Sequence, residues 1–222
     1  MGPDFSPDFS IETRCIAKGL TVCGVDEAGR GPWAGPVVAA AVVLDLHSIP
    51  PGINDSKKLT EMKRAFLYQP IMDSARVGIG IVDVEMIDRI NILQATLFAM
   101  QLAVSDLANG RFAELPDLAL VDGNRAPPLS IRVQTIIGGD SKSLSIAAAS
   151  IIAKVTRDRL MATLDELYPH YGFAKHKGYG TAAHAAALQR YGPSLAHRRS
   201  FKPIAKLTMS GQFDSRGVRH DS

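Results

Sequence analysis

The run Pro36–Leu44 (PVVAAAVVL) is apolar at every position, short, and rich in valine and alanine. A strand with one wet face alternates apolar and polar residues. An unbroken run of this length, closed soon after by Pro50-Pro51-Gly52, reads as a buried strand rather than a helix. Further strands are predicted over Thr21–Val25, Arg76–Val82, Leu118–Val121 and Ile131–Ile137. Helices are predicted over 60–69, with Thr60 as N-cap and Pro70 as its end or kink, and over Asn91–Leu107, Leu144–Leu167 and 181–190. Alternating strands and helices in this order argue for one α/β domain, a mixed sheet with helices on its faces. That domain is expected over 20–206, with a helical cap from about 169. Residues 1–19 are expected to form a flexible arm, and 207–222 a flexible tail.

Composition narrows the class. Hydrophobic residues at 46% can fill a core, and charged residues at 21% suit a soluble globular protein. No apolar stretch long enough to span a bilayer is evident, nor a targeting segment, so a cytoplasmic protein without a membrane partner is expected. Cys15 and Cys23 are the only cysteines, too few for a zinc set or a disulfide framework. Net charge is only +3. Yet Lys175, Lys177, Arg190, Arg198, Arg199, Lys202 and Lys206, with His176, His184 and His197, share a stretch free of acids. Such a stripe can steer a polyanion.

The acids are placed for chemistry. Asp26 and Glu27 end a predicted strand, and Gly29-Arg30-Gly31 follows at once. Asp122 and Asp140 also stand just after apolar runs. Strand ends collect ligand sites in α/β sheets. Four converging carboxylates would need cations, and hard oxygens without His or Cys suit Mg²⁺ or Mn²⁺. Adjacent strand residues point to opposite faces, so Asp26 and Glu27 would both serve only if the chain turns there. Plainer roles remain open: Asp122-Gly123 as a turn and Asp140 as a helix cap.

Other elements suit a nucleic acid. The glycines around Arg30 let backbone approach a nucleotide closely. Asn54, Ser56, Lys57 and Lys58 form a polar loop suited to phosphates, or a solvated surface loop. Tyr179, between Gly178 and Gly180 and near Lys175 and Lys177, is a candidate for stacking on a sugar or base, or for packing under a loop. Ser150, Lys154 and Asp158 form a polar seam on one helix face, read as structural.

A series of strings here resembles the type 2 ribonuclease H family, in its bacterial ribonuclease HII branch. They are VDEAGRGPWAGPVVAAAVVL at 25–44, NDSKKL at 54–59, VDGN at 121–124 and GGDS at 138–141. SIAAASIIAKVTRDR at 145–159, YPHYGFAKHKGYGTAAH at 168–184 and HRRSF at 197–201 complete the series. The resemblance covers about residues 20 to 205. It implies a ribonuclease-H-like fold with a five-stranded mixed sheet, and metal-binding catalytic acids at Asp26, Glu27, Asp122 and Asp140. It implies that the Gly29, Arg30 and Gly31 backbone reads a 2′-hydroxyl and that Tyr179 senses the RNA–DNA junction. The implied activity is endonucleolytic hydrolysis of the RNA strand of RNA–DNA hybrids, and nicking of duplex DNA 5′ of embedded ribonucleotides. Products would carry 5′-phosphate and 3′-hydroxyl ends, with Mn²⁺ or Mg²⁺ as cofactor and a monomer as the working unit. A DNA-specific metal nuclease and a non-catalytic nucleic-acid-binding module are the competing readings; a 2′-hydroxyl requirement and turnover separate them.

Overall fold

The computed structural model describes residues 6–109 and 114–209. Five strands form the sheet: β1 (Val22–Ala28), β2 (Val37–Val43), β3 (Arg76–Val82), β4 (Leu118–Asp122) and β5 (Arg132–Ile136), in the order β3-β2-β1-β4-β5. β1 pairs antiparallel with β2 and parallel with β4, and β4 pairs parallel with β5, so the sheet is mixed as expected. The helices are α1 (Ser10–Ile16), α2 (Glu61–Ser74), α3 (Val84–Asp106), α4 (Leu144–Leu167), α5 (Phe173–His176), α6 (Ala182–Tyr191) and α7 (Lys202–Met209).

The chain divides into two units. The first holds residues 6–28, 38–81, 96–109 and 114–155, hence most of the sheet. Its main core packs Ala40, Val42 and Leu44 against Leu67 and Ile71 of α2 and the 147–155 face of α4. The small residues Ala147, Ala148 and Ala149 bring α4 close, and Gly24 of β1 has no room for a side chain: a Cβ there would lie 2.1 Å from the Ser145 carbonyl carbon. The second unit holds 29–37, 82–95 and 156–209. Its core gathers Ala34, Met161, Tyr171, Phe173, Leu188, Ala196 and Ile204.

Three expectations change. The arm is not loose over 10–16. Those residues form α1, and Glu12, only 1% exposed, accepts from Ser143 Oγ (2.5 Å) and Ser145 N–H (2.9 Å). A carboxylate at the start of α4 meets amides that the helix leaves unpaired. Residues 1–5 of the expected arm lie outside the described residues. So does the tail beyond 209, while 207–209 complete α7. Pro70 neither ends nor visibly stops α2, which runs on to Ser74. A proline inside a helix costs about 3 kcal/mol. Burial of Leu67 and Ile71 on either side offsets it, each worth roughly 1.5–3 kcal/mol.

A short helix from Val84 precedes the one expected from Asn91, and the two are divided at Asn91 itself (φ 67°). There Asn91 Oδ1 accepts from the Leu93 and Gln94 N–H groups, capping the second half. Val84–Asn109 is the one stretch among the described residues with the length and apolarity to cross a membrane, at mean hydropathy 1.3. Within it the helix breaks at Asn91, and Ala95, Ala99, Ala103 and Val104 are buried.

Candidate active site

The parallel pairing of β1 with β4 aligns Val25 with Val121. Asp26 and Asp122, each next along its strand, therefore stand side by side where this pairing ends. β5 runs parallel as well, and the chain returns through a one-turn 3₁₀ helix over Gly139–Ser141 that carries Asp140. Oxygens of Asp26, Asp122 and Asp140 all lie within 4.8 Å of one another. Asp26 and Asp140 are buried and Asp122 is half-buried. Two amides hold the trio: Glu27 N–H donates to Asp26 Oδ1 (2.7 Å) and Gly139 N–H to Asp122 Oδ1 (2.7 Å).

Electrostatics show what the trio lacks. Burial raises the Asp26 pKa well above the usual carboxylate range, and the fields of Glu27, Asp122 and Asp140 push the same way. Asp122 is raised too, chiefly by burial and then by Asp140, against the Gly139 hydrogen bond and Lys57. Lys57 Nζ donates to Asp140 Oδ2 at 2.8 Å. Burial opposes the Lys57 charge, yet that bond and the fields of Asp140, Asp26 and Asp55 hold its pKa above the ordinary lysine value. Three converging carboxylates answered by one ammonium, with oxygen donors only, fit a hard divalent cation.

Glu27 stands outside the trio. β1 runs straight through to Ala28, so strand alternation separates Glu27 from Asp26, and the turn that would join them does not form. The 54–59 loop also differs from its reading. Ser56 is buried: its N–H donates to Ser150 Oγ (3.3 Å) and its carbonyl accepts from Arg64 Nη1 (2.8 Å). Asn54 Oδ1 accepts from the Asp55 N–H. Lys57 is engaged with an acid, and Lys58 is exposed. Ser150 holds the loop, in keeping with its structural reading; Lys154 and Asp158 are half-buried.

In the second unit, the segment after Gly29 is laced to the later helices. Trp33 N–H donates to Gly178 O (2.8 Å), Gly35 N–H to Ala196 O (2.8 Å) and Arg198 N–H to Trp33 O (2.8 Å). Arg30 and Gly31 are exposed, and a Cβ on Gly31 would stand 3.5 Å from Tyr179 Cε1. Tyr179 is 50% exposed, so its ring is presented rather than packed away. Lys175 is exposed, and Lys177 is half-buried in the left-handed region (φ 52°).

The backbone of Tyr179 is tied by a chain of neutral histidines. Ser194 N–H donates to His197 Nδ1 (2.9 Å), which leaves the His197 proton on Nε2. That proton faces His184 Nε2 (2.9 Å), so His184 carries its own on Nδ1 and donates it to Tyr179 O (2.9 Å). Burial keeps both rings uncharged, lowering His184 to about 4 and His197 to about 3.

The sequence placed Arg198, His184 and His197 in a surface stripe, but all three are buried. Arg198, 0% exposed, donates from Nε to Gly35 O (2.9 Å), from Nη1 to Arg30 O (3.1 Å), and from Nη2 to Gly29 O (2.6 Å) and Pro36 O (3.1 Å). Arg157, 1% exposed, donates to the carbonyls of Pro36 (3.0 Å), Lys177 (3.0 Å) and Ala34 (3.1 Å). Burial lowers them to about 9 and about 10, so both stay cationic at neutral pH. One signal was available. A turn dense in Gly and Pro cannot pair its own carbonyls, and buried carbonyls need donors from elsewhere.

Known proteins agree with this geometry. The family model described as Ribonuclease HII matches residues 23–204. The chain is 55% identical over 206 residues to Ribonuclease HII of Parvibaculum lavamentivorans, covering 92% of this chain and 75% of that protein. It is 54% identical over 205 residues to Ribonuclease HII of Magnetococcus marinus, covering 90% and 95%. Among solved structures, ribonuclease H2 from Pyrococcus horikoshii superposes with a TM-score of 0.69 at 28% identity, covering 85% of this chain and 97% of that one. With the ribonuclease-H-like sheet and the acid trio at its strand ends, these matches make the chain a member of the ribonuclease HII family, a metal-dependent endoribonuclease of RNA–DNA hybrids.

Proposed function

We propose that the enzyme uses Mn²⁺ or Mg²⁺ and, besides long hybrids, nicks duplex DNA 5′ of a single embedded ribonucleotide, leaving 5′-phosphate and 3′-hydroxyl ends. The observation that carries this reading is the convergence of Asp26, Asp122 and Asp140 within 4.8 Å. Those three would hold the cation, with Glu27 outside the set and its charge acting on Asp26. When bound, it activates water and stabilises the leaving oxygen of a phosphodiester. The chain's own part is to fix the carboxylates: Gly139 N–H orients Asp122, and Glu27 N–H orients Asp26. Lys57 steadies Asp140 and offers its remaining donors to phosphate.

The Gly29, Arg30 and Gly31 backbone recognises the sugar, and Tyr179 presses its ring on it. Exposure of Arg30, Gly31 and Tyr179 supports that role. Lys58, Lys175 and Lys177 supply phosphate contacts, and Asn54 shapes the loop before them. The protein acts as a cytoplasmic monomer without a membrane partner. The test is one duplex carrying one ribonucleotide, incubated with Mn²⁺, with Mg²⁺, or with chelator. Cleavage on the 5′ side in both metals and none in chelator is expected. Equal cleavage of the all-DNA duplex would make the protein a general DNA nuclease and end this reading.

A further inference from the structure

Arg157 and Arg198 are among the largest side chains fully removed from solvent, and neither has an acidic side chain in its hydrogen bonds. Removing a guanidinium from water is costly, and the return here is contact with one short turn. The carbonyls they bind belong to residues 29, 30, 34, 35, 36 and 177. Arg198 alone takes Gly29 and Arg30, and its guanidinium also lies 5.1 Å from the centre of the Phe201 ring. Gly29 is shaped by the second arginine: a Cβ there would come within 2.1 Å of Arg157 Nε.

The peptide bonds here are trans, and in a trans peptide the C=O and N–H groups point in opposite directions. A Gly29 carbonyl drawn onto Arg198 turns the Arg30 N–H away from it, and the Arg30 carbonyl does the same to the Gly31 N–H. Gly29 is buried while Gly31, which shows solvent only its backbone, is exposed, as this polarity requires. We propose that Arg198 is a positioning residue for sugar recognition, fixing the Arg30 and Gly31 amides as an outward donor pair for the ribose 2′-oxygen. This rests on the reading that the Gly29–Gly31 backbone recognises the sugar. Arg157 anchors the far side of the turn, and the two cations behind it polarise the donor peptides. A lysine cannot replace Arg198, because one ammonium point cannot span the four carbonyls that a planar fork reaches.

The test compares wild type, Arg198→Lys and Leu188→Ala, the last a core truncation in the same unit. Each is measured for melting temperature, duplex affinity in chelator, Mn²⁺ affinity without substrate, and single-turnover cleavage at a lone ribonucleotide. Arg198→Lys is expected to bind duplex and Mn²⁺ within about threefold of wild type. Its cleavage rate should fall by roughly 100-fold, the scale of a 1 Å misplacement. Leu188→Ala should lose melting temperature while keeping its rate. Amide spectra of the wild-type protein in chelator give a second readout that needs no variant. The Arg30 and Gly31 N–H signals should move with a ribonucleotide duplex and stay with the all-DNA duplex. Wild-type cleavage retained by Arg198→Lys, a rate loss in Leu188→Ala as large as in Arg198→Lys, or silent amides overturns the role of Arg198. A wild-type protein that cleaves both duplexes alike overturns instead the reading beneath it.

Discussion

Two glycines of one turn should answer the same substitution in opposite ways. At Gly29 the backbone has φ +98°, and a Cβ would sit 2.1 Å from Arg157 Nε and 2.8 Å from Pro36 O. Alanine there pays about 1–2 kcal/mol for the left-handed conformation. It also drives Arg157 from its carbonyls, and each bond lost from a charged donor costs about 1.5–3 kcal/mol. Losing even one such bond brings the total to roughly 3–5 kcal/mol, a fall in Tm of about 6–20 °C for a domain of this size. At Gly31 the backbone is not left-handed, and the nearest atom to a new Cβ is Tyr179 Cε1 at 3.5 Å, an ordinary contact.

Among the described residues nothing therefore requires glycine at 31, and alanine should change stability by less than about 1 kcal/mol. The constraint comes from outside, where a sugar must approach the backbone. Gly31→Ala is expected to melt within about 4 °C of wild type while single-turnover cleavage of a lone ribonucleotide drops about 100-fold. Thermal melts and single-turnover kinetics on the two variants check both halves. If Gly31→Ala melts as low as Gly29→Ala, or cleaves at the wild-type rate, the idea that position 31 is shaped by substrate is wrong.

Asp122→Asn should fold at least as well as wild type, because the amide oxygen can keep the Gly139 hydrogen bond and a repelling charge is gone; Mn²⁺ titration and turnover should both fall by orders of magnitude, and near-normal hydrolysis in saturating Mg²⁺ would remove Asp122 from the site. Tyr179→Ala should cut cleavage at a lone ribonucleotide far more than it weakens duplex binding, and a strictly proportional loss would return Tyr179 to a packing role. His184 and His197 are held near 4 and 3 against about 6.5 when unfolded, so the unfolded chain binds more protons between those values. Their stabilisation is complete above about pH 6.5 and declines as pH falls toward 4 and 3. The raised acids act in the opposite sense, so melting curves of wild type and His184→Asn across this range isolate the histidines; identical slopes would refute the neutral pair.

Much of the fold was written in local pattern. The helix at about Leu144–Leu167 was legible because its small and apolar positions run on without a breaker. Asp26, Asp122 and Asp140 were legible because each ends an apolar run, and runs that end together in a parallel sheet deliver their next residues to one place. What escaped was set by tertiary partners. Glu12 looked like part of a polar arm because its two serine partners lie far along the chain, at 143 and 145. Arg198 looked like a surface cation because charge alone does not reveal which arginines are solvated by carbonyls instead of water. Pro70 reads locally as a breaker, yet the burial beside it outweighs its local penalty.

The alignment of Val25 with Val121 has a consequence for how activity is acquired. Asp26 and Asp122 belong to segments distant in sequence, and nothing local tells β4 where along β1 to stop. A slip of one residue would send Asp122 to the opposite face of the sheet from Asp26, leaving every strand formed and the centre dismantled. Helix α4 can regain its shape from its own sequence, but the centre waits for the slower long-range pairing. In a refolding solution, the helical signal counts chains that have condensed, whereas hydrolysis counts only those whose two parallel strands have met in step.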